Sequence, residues 1–395
     1  MLKVKASFRK SIVFIGFGAL SIIIVAFFLV FYDTIIGAQN TSKVNCKNLE
    51  EGQRQCWQDA IELALEEGVE EALGVVASLY ETDPNCHDYV HLIGGKAYEL
   101  FSQGKEMTLT PKTYYCGYGF YHGFMESLLH ESGNIEKARQ FCAYASKQMS
   151  PHIRGAEDAC YHGIGHGAVD GGDPRAWGDA QAMIKPAMDM CELLGDVESH
   201  RYLCATGVFN AIEILARDPK YKLDAFLKNP FWLCDRQPER YREACYTNML
   251  PALLPMYGYD LPTIASYIEE NITENDDGYD IRSIVIMGLF HEHMNINAGS
   301  ADKGPRGVAA CRALKERSRL PCIEGLAGGL MKYGKPGEEY IEGLSFCKLE
   351  LLTEEEQEAC FKHILLRLTF WNSPEKSRQL CATVEEKFRK YCSHY

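Results

Sequence analysis

The chain has no CxxC, no GxSxG and no HExxH, and no glycine-rich loop leads into Lys-Ser or Lys-Thr. Dithiol redox chemistry, zinc knuckles, covalent haem attachment, serine-hydrolase elbows, zincin proteolysis and nucleotide-phosphate cradles therefore have no footing. Gly163-Ile-Gly165-His-Gly167 follows no strand pattern, and His291-Glu292-His293 lacks the i,i+4 spacing of a helical zinc pair. The acidic run at 275–280 is not an EF-hand. With Gly278 in the sixth place, the first and twelfth ligands would be Thr273 and Ile284. Alternating strand-like runs are scarce. Basic charge is short as well, with 41 Lys and Arg against 54 Asp and Glu and a net charge of −13. The first ten residues carry +4, so the remainder carries −17, without the basic stripe that a nucleic-acid partner requires.

One long apolar run is present. Residues 11–32 form an uncharged stretch of 22 residues rich in Ile, Phe, Val and Leu. A helix rising 1.5 Å per residue over that length crosses the roughly 30 Å hydrocarbon core of a bilayer. Lys3, Lys5, Arg9 and Lys10 precede it with no acid among them, so the basic tail 1–10 is expected in the cytosol. The expected organisation is a cytosolic tail at 1–10, a transmembrane signal-anchor helix at 11–32, a linker at 33–45 and an extracytoplasmic domain at 46–395. The chain would then sit in the cell membrane as a single-pass protein.

All 16 cysteines lie beyond the apolar run. Spaced cysteines in an oxidising compartment are normally structural bridges. Aligned on cysteine, Cys116-Gly-Tyr-Gly119, Cys160-Tyr-His-Gly163, Cys204-Ala-Thr-Gly207 and Cys322-Ile-Glu-Gly325 share a C-x-x-G unit. Cys245 and Cys360 begin similar stretches, and Val285-Ile-Met-Gly288 fits with valine for cysteine. These anchors are spaced 44, 44, 41, 40, 37 and 38 residues apart, a period suited to stacked two-helix units. A second cysteine precedes most anchors by 11 to 13 residues, predicting Cys191–Cys204, Cys234–Cys245, Cys311–Cys322, Cys347–Cys360 and Cys381–Cys392. Cys142 with Cys160 and Cys46 with Cys56 are looser and tighter versions, leaving Cys86 for Cys116. The repeat without an anchor cysteine also lacks the upstream one, as covalent pairing requires. The expected fold is all-α: disulfide-stapled helical-hairpin repeats forming an open α-solenoid or a closed α/α toroid. The glycines are expected to serve close helix packing.

The informative position lies six residues after the anchor. It is His122, His166, Asn210 and His291 in four repeats, and one helical turn later come Glu126, Asp170 and Asn295 in the three His repeats. His87 and His91, and His162 and His166, repeat the i,i+4 relation. A half-buried packing histidine is the ordinary reading of any one of these, but seven of the 12 histidines fall in or beside the anchored segments. Their recurrence in register makes His91, His122, Glu126, His162, His166 and Asp170 candidate ligands of a transition metal such as zinc, copper or iron. His122 and His166 are expected to project from consecutive helices into one pocket. His122-Gly123 and His166-Gly167 are similar to short His-Gly runs on the inner helices of lanthionine cyclase-like toroids. The zinc-ligating cysteines of that family have no counterpart here, so neither activity nor residues carry over. Two functions follow as expectations: a metal-binding, potentially catalytic ectodomain, or a scaffold whose concave face binds an extracytoplasmic protein or peptide.

Overall fold

A computed structural model of the chain describes Cys46 and residues 52–80, 82–84, 86–105, 107–169, 173–272 and 280–392. The expected membrane span at 11–32 lies outside these residues. Among the described residues no helix is long and apolar enough to cross a membrane. Contacts divide the chain into two units, Met1–Ala60 and Ile61–Tyr395. In the first, Cys46 is bridged to Cys56.

Every regular element among the described residues is helical. The principal helices are α1 Gln53–Glu67, α2 Val69–Leu79, α3 Cys86–Ser102, α4 Tyr115–Ser132, α5 Ile135–Met149, α6 Gly155–Ala168, α7 Ala180–Glu192 and α8 Glu198–Ala216. They continue with α9 Glu239–Asn248, α10 Leu261–Asn271, α11 Ile281–Ile296, α12 Lys303–Ala313, α13 Glu316–Tyr333, α14 Glu339–Cys347, α15 Glu354–Leu365 and α16 Pro374–Ala382. The anchored helices form a continuous row in which α3, α4, α6, α8, α9, α11, α13 and α15 each pack on the next. The intervening helices α5, α7, α10, α12, α14 and α16 are amphipathic and lie outside that row. In α5, Ala138, Phe141, Cys142, Ala145 and Met149 are buried at helical spacing. Burying each large member of such a stripe contributes about 1.5–3 kcal/mol. Polar caps start some of the helices: Asn134 accepts from the Lys137 amide at α5, Asp179 from that of Ala182 at α7, and Thr353 with Glu356 completes a capping box on α15 of the row.

Disulfides staple most of the repeats, although α10 carries no cysteine and Cys381–Cys392 closes α16 on the C-terminal segment instead of the row. The pairs are Cys142–Cys160, Cys191–Cys204, Cys234–Cys245, Cys311–Cys322, Cys347–Cys360 and Cys381–Cys392, with Cys86–Cys116 between α3 and the start of α4. No cysteine is free. Eight bridges and no free thiol place the domain's maturation in an oxidising, extracytoplasmic environment. At the unbridged repeat, Val285 fills the anchor position and is fully buried.

Glycine governs how closely the row packs. A side chain on Gly94 would collide with the Phe120 carbonyl oxygen, and one on Gly123 with that of His91. The same reciprocal arrangement joins α6 to α8, where Gly165 faces the Cys204 carbonyl and Gly207 that of His162. Backbones therefore meet directly at positions flanking the candidate histidines. One segment departs from helical geometry. Cys116, Gly117 and Tyr118 lie in the left-handed region at φ of 54°, 68° and 65° before α4 straightens. That conformation costs roughly 1–2 kcal/mol for each residue that carries a side chain.

The two ends of the row meet. The Tyr80 hydroxyl donates to the Tyr333 carbonyl at 2.5 Å, and the Arg154 amide to the Thr369 carbonyl at 3.0 Å. The Tyr118 hydroxyl donates to the Phe370 carbonyl, and that of Tyr114 reaches the buried Glu339 carboxyl at 3.3 Å. Residues near the first anchors are thus bonded to residues of the last repeats.

Candidate metal centre

Four helices deliver the candidate ligands to one place. α3 carries His87 and His91, α4 carries His122 and Glu126, α6 carries His162 and His166, and α8 contributes Thr206 and Asn210. Ring centroids of His122 and His162 are 4.7 Å apart, those of His122 and His166 5.0 Å, and those of His162 and His166 5.4 Å. One nitrogen of each of these three imidazoles lies within 4.8 Å of the other two. Zinc–nitrogen bonds near 2.1 Å would hold such donors about 3.4 Å apart, so small side-chain rotations bring all three onto one ion. His91, Glu126 and His166 form a second triple under the same limit and share His166 with the first. Asp170, the remaining candidate, lies outside the described residues.

The hydrogen bonds fix which nitrogens are available. The single Thr206 hydroxyl proton goes to the Leu203 carbonyl at 2.6 Å, so Thr206 can only accept from His162 Nδ1, 2.7 Å away. His162 therefore holds its proton on Nδ1 and presents a lone pair at Nε2. His87 Nδ1 likewise donates to the Cys116 carbonyl at 2.7 Å. His166 Nδ1 donates to Glu126 Oε1 at 2.9 Å, which frees its Nε2 lone pair. The Asn210 side-chain oxygen lies 2.5 Å from that Nε2 and also bonds His162, so a lone pair on His166 Nε2 calls for this amide to be turned, with its nitrogen toward the rings. Turning this amide exchanges a donor for an acceptor at the same place. His122 differs: its Nδ1 is buried with no protein partner. The oxygen acceptors behind His162 and His166 match the outer-shell arrangement of metal-binding histidines; His122 has none.

Charge agrees with the tautomers. Burial, followed by mutual repulsion, holds the protonation of His122 and His162 well below the usual histidine range, and places His87 at about 4. They are neutral and ligand-competent at physiological pH. Burial pushes the Glu126 carboxyl up, but the hydrogen bonds from His166 and His91 outweigh it and hold the group well below the usual carboxylate range. Glu126 is thus a fixed negative charge behind His166. His91 Nε2 approaches it at 3.4 Å.

Other histidines take different places. His293 donates from Nε2 to the Lys303 carbonyl at 3.1 Å and is a bonded core residue. His291, the third histidine six residues after an anchor, points to the opposite wall, where its ring lies 6.2 Å from that of His363. Thr206 and Asn210 escape a search for ligand residue types, yet they stand in the repeat where His162 and His166 stand, 44 residues earlier. The period itself marks them.

Against known proteins the chain matches no family model, no curated protein and no solved structure.

Proposed function

We propose that this is a membrane-anchored, extracytoplasmic metalloprotein whose ion is held by His122, His162 and His166. Zinc or copper suits three neutral imidazoles, and three protein ligands leave a coordination position for water or substrate. Glu126 orients and polarises His166, Thr206 does so for His162, and His91 and His87 line the approach. The single observation that carries this reading is the commitment of the Nδ1 protons of His162 and His166 to oxygen acceptors while His122 Nδ1 is buried unpaired. The run at 11–32 supplies the anchor, and the joined ends of the row favour a closed α/α toroid. A closed ring lacks the open concave face that the scaffold alternative needs.

Metal analysis of the purified full chain tests the reading. About one equivalent of transition metal is expected, falling below a tenth in a His122→Ala, His166→Ala double variant that keeps its helical circular dichroism and eight disulfides. Metal-free native protein that cannot be loaded with zinc or copper would overturn it.

A further inference from the structure

The seam that closes the row holds a buried acid that the metal reading does not use. Glu339 opens α14 and is 3% exposed. Its neighbours are ion-paired, Glu338 with Lys335 at 3.2 Å and Glu342 with Lys303 at 2.7 Å, whereas Glu339 has no cation partner among the described residues. Glu339 Oε1 accepts from the Gly337 amide at 3.1 Å. Its Oε2 lies 3.3 Å from the Tyr114 hydroxyl, which comes from the other end of the row. A side chain on Gly337 would stand 3.2 Å from the Tyr115 hydroxyl, so a second tyrosine lies against the same turn. With Oε1 taken by an amide donor, a proton on the carboxyl belongs on Oε2, facing Tyr114. The other three bonds across the seam also join uncharged groups, since Tyr80, Tyr118 and the Arg154 amide all donate to carbonyls.

What surrounds the acid decides its charge. Tyr114, Tyr115 and Tyr118 face it from the first repeats, the ring of Tyr118 lying 6.1 Å from that of Tyr114, and Tyr80 faces it from just past α2. Burial pushes all four hydroxyls above the usual tyrosine range. From α13, Tyr333 is bonded to Glu292 at 2.9 Å, and Lys332 lays its stem against Gly117. α15 meets α14 with Ile364 against Gly343, and α16 meets it with Lys376 over the Tyr340 ring. Beyond Tyr118, Asp158 of α6 is raised to about 6 by burial and then by Glu157. Burial pushes the Glu339 carboxyl up to about 8, against partial relief from its own amide, that of Gly337 and Tyr114. A carboxylate without a cation is costly to keep dry, so the neutral acid and the tight seam go together.

We propose that this seam is a proton-controlled latch: neutral Glu339 holds the first repeats against the last, and loss of its proton parts them. The shut ring binds the proton more tightly than the open one. Its advantage is full below about 4.5 and is lost as pH rises through about 8. Tyr118 lies four residues before His122 on α4, so parting the seam loosens the start of a helix that carries a candidate ligand.

Hydrogen exchange of the full chain, followed by mass spectrometry and corrected for the intrinsic rate at each pH, tests this without involving the metal. Between about pH 7 and about pH 9, above the range where Asp158 titrates, protection of peptides containing Arg154 should fall about tenfold in the native chain. Peptides of α7, away from the seam, should keep theirs. Glu339→Gln retains an oxygen for the Gly337 amide and a donor for Tyr114 but cannot ionise, so its seam should lose less than twofold. Should that variant fail to fold, the native chain decides, because the loss must level off above about pH 8, whereas tyrosine ionisation would deepen it further. Unchanged seam protection in the native chain, an equal loss in Glu339→Gln, or a loss shared by α7 would each overturn the proposal.

Discussion

The two walls of this domain use the same repeat differently. In α3, α4, α6 and α8, glycines meet carbonyl oxygens directly, and the imidazoles beside them are backed by Glu126, Thr206 and the Cys116 carbonyl. Between α11 and α13 only Gly325 meets a carbonyl directly, that of Met287; elsewhere side chains come between, with Gly329 facing Met294, Gly288 facing Leu250, and Gly328 facing His291 and His363. Of the histidines there, His293 donates to the Lys303 carbonyl, whereas His291 Nε2 and His363 Nδ1 are buried without a partner. A histidine at a given place in a repeat is thus not a ligand by virtue of its type. What stands behind its second nitrogen decides whether the first offers a lone pair or an N–H.

The contrast breaks most visibly through packing. Gly207→Val should destabilise the domain by about 3 kcal/mol or prevent folding, because the His162 carbonyl cannot retreat without parting α6 from α8. Gly288→Val on the other wall meets only the end of the Leu250 side chain and should cost about 1 kcal/mol. Urea unfolding midpoints of the two variants measure the difference, and equal losses would erase it.

Acid sharpens the comparison on the metal wall. His87 is held at about 4 by burial, then by His91, against 6.5 when unfolded. The unfolded chain therefore binds a proton over that interval which the folded chain refuses. Stability contributed at neutral pH is lost as pH falls from about 6.5 to about 4, by up to about 3 kcal/mol. Below that, His87 itself contributes no further loss. Thermal melts of metal-free protein across this range should show a smaller acid loss in His87→Gln than in the native chain.

The smallest effect belongs to the outer surface. Lys185 and Asp189 pair at 2.7 Å on an exposed face of α7, and Lys185→Met should change stability by no more than about 0.5 kcal/mol. A larger change would mean that the outer helices carry more of the domain than their burial suggests.

Much of this was legible in the sequence. The pairing of cysteines, the helical period and the gathering of His122, His166 and Glu126 all followed from one frame, because residues one period apart become neighbours on adjacent helices. His291 shares the six-residue offset yet lies beside His363 instead of the other candidates. Register fixes the level of a residue in the row but not the wall on which it falls, which depends on where the row bends. Thr206 and Asn210 were legible only by position. His363 sits outside the six-residue offset, and the packing of α13 between α11 and α15 brings it beside His291. The left-handed turn at 116–118 had no signal beyond Gly117.

The bonds from Tyr118 and Arg154 to Phe370 and Thr369 have a consequence for inheritance. An open array can gain or lose a hairpin at its tip by duplication or deletion, with every older contact intact. Here the last repeats already touch the first, so one more hairpin would have to reopen that seam and alter the angle at every junction at once. The chain in effect counts its own units.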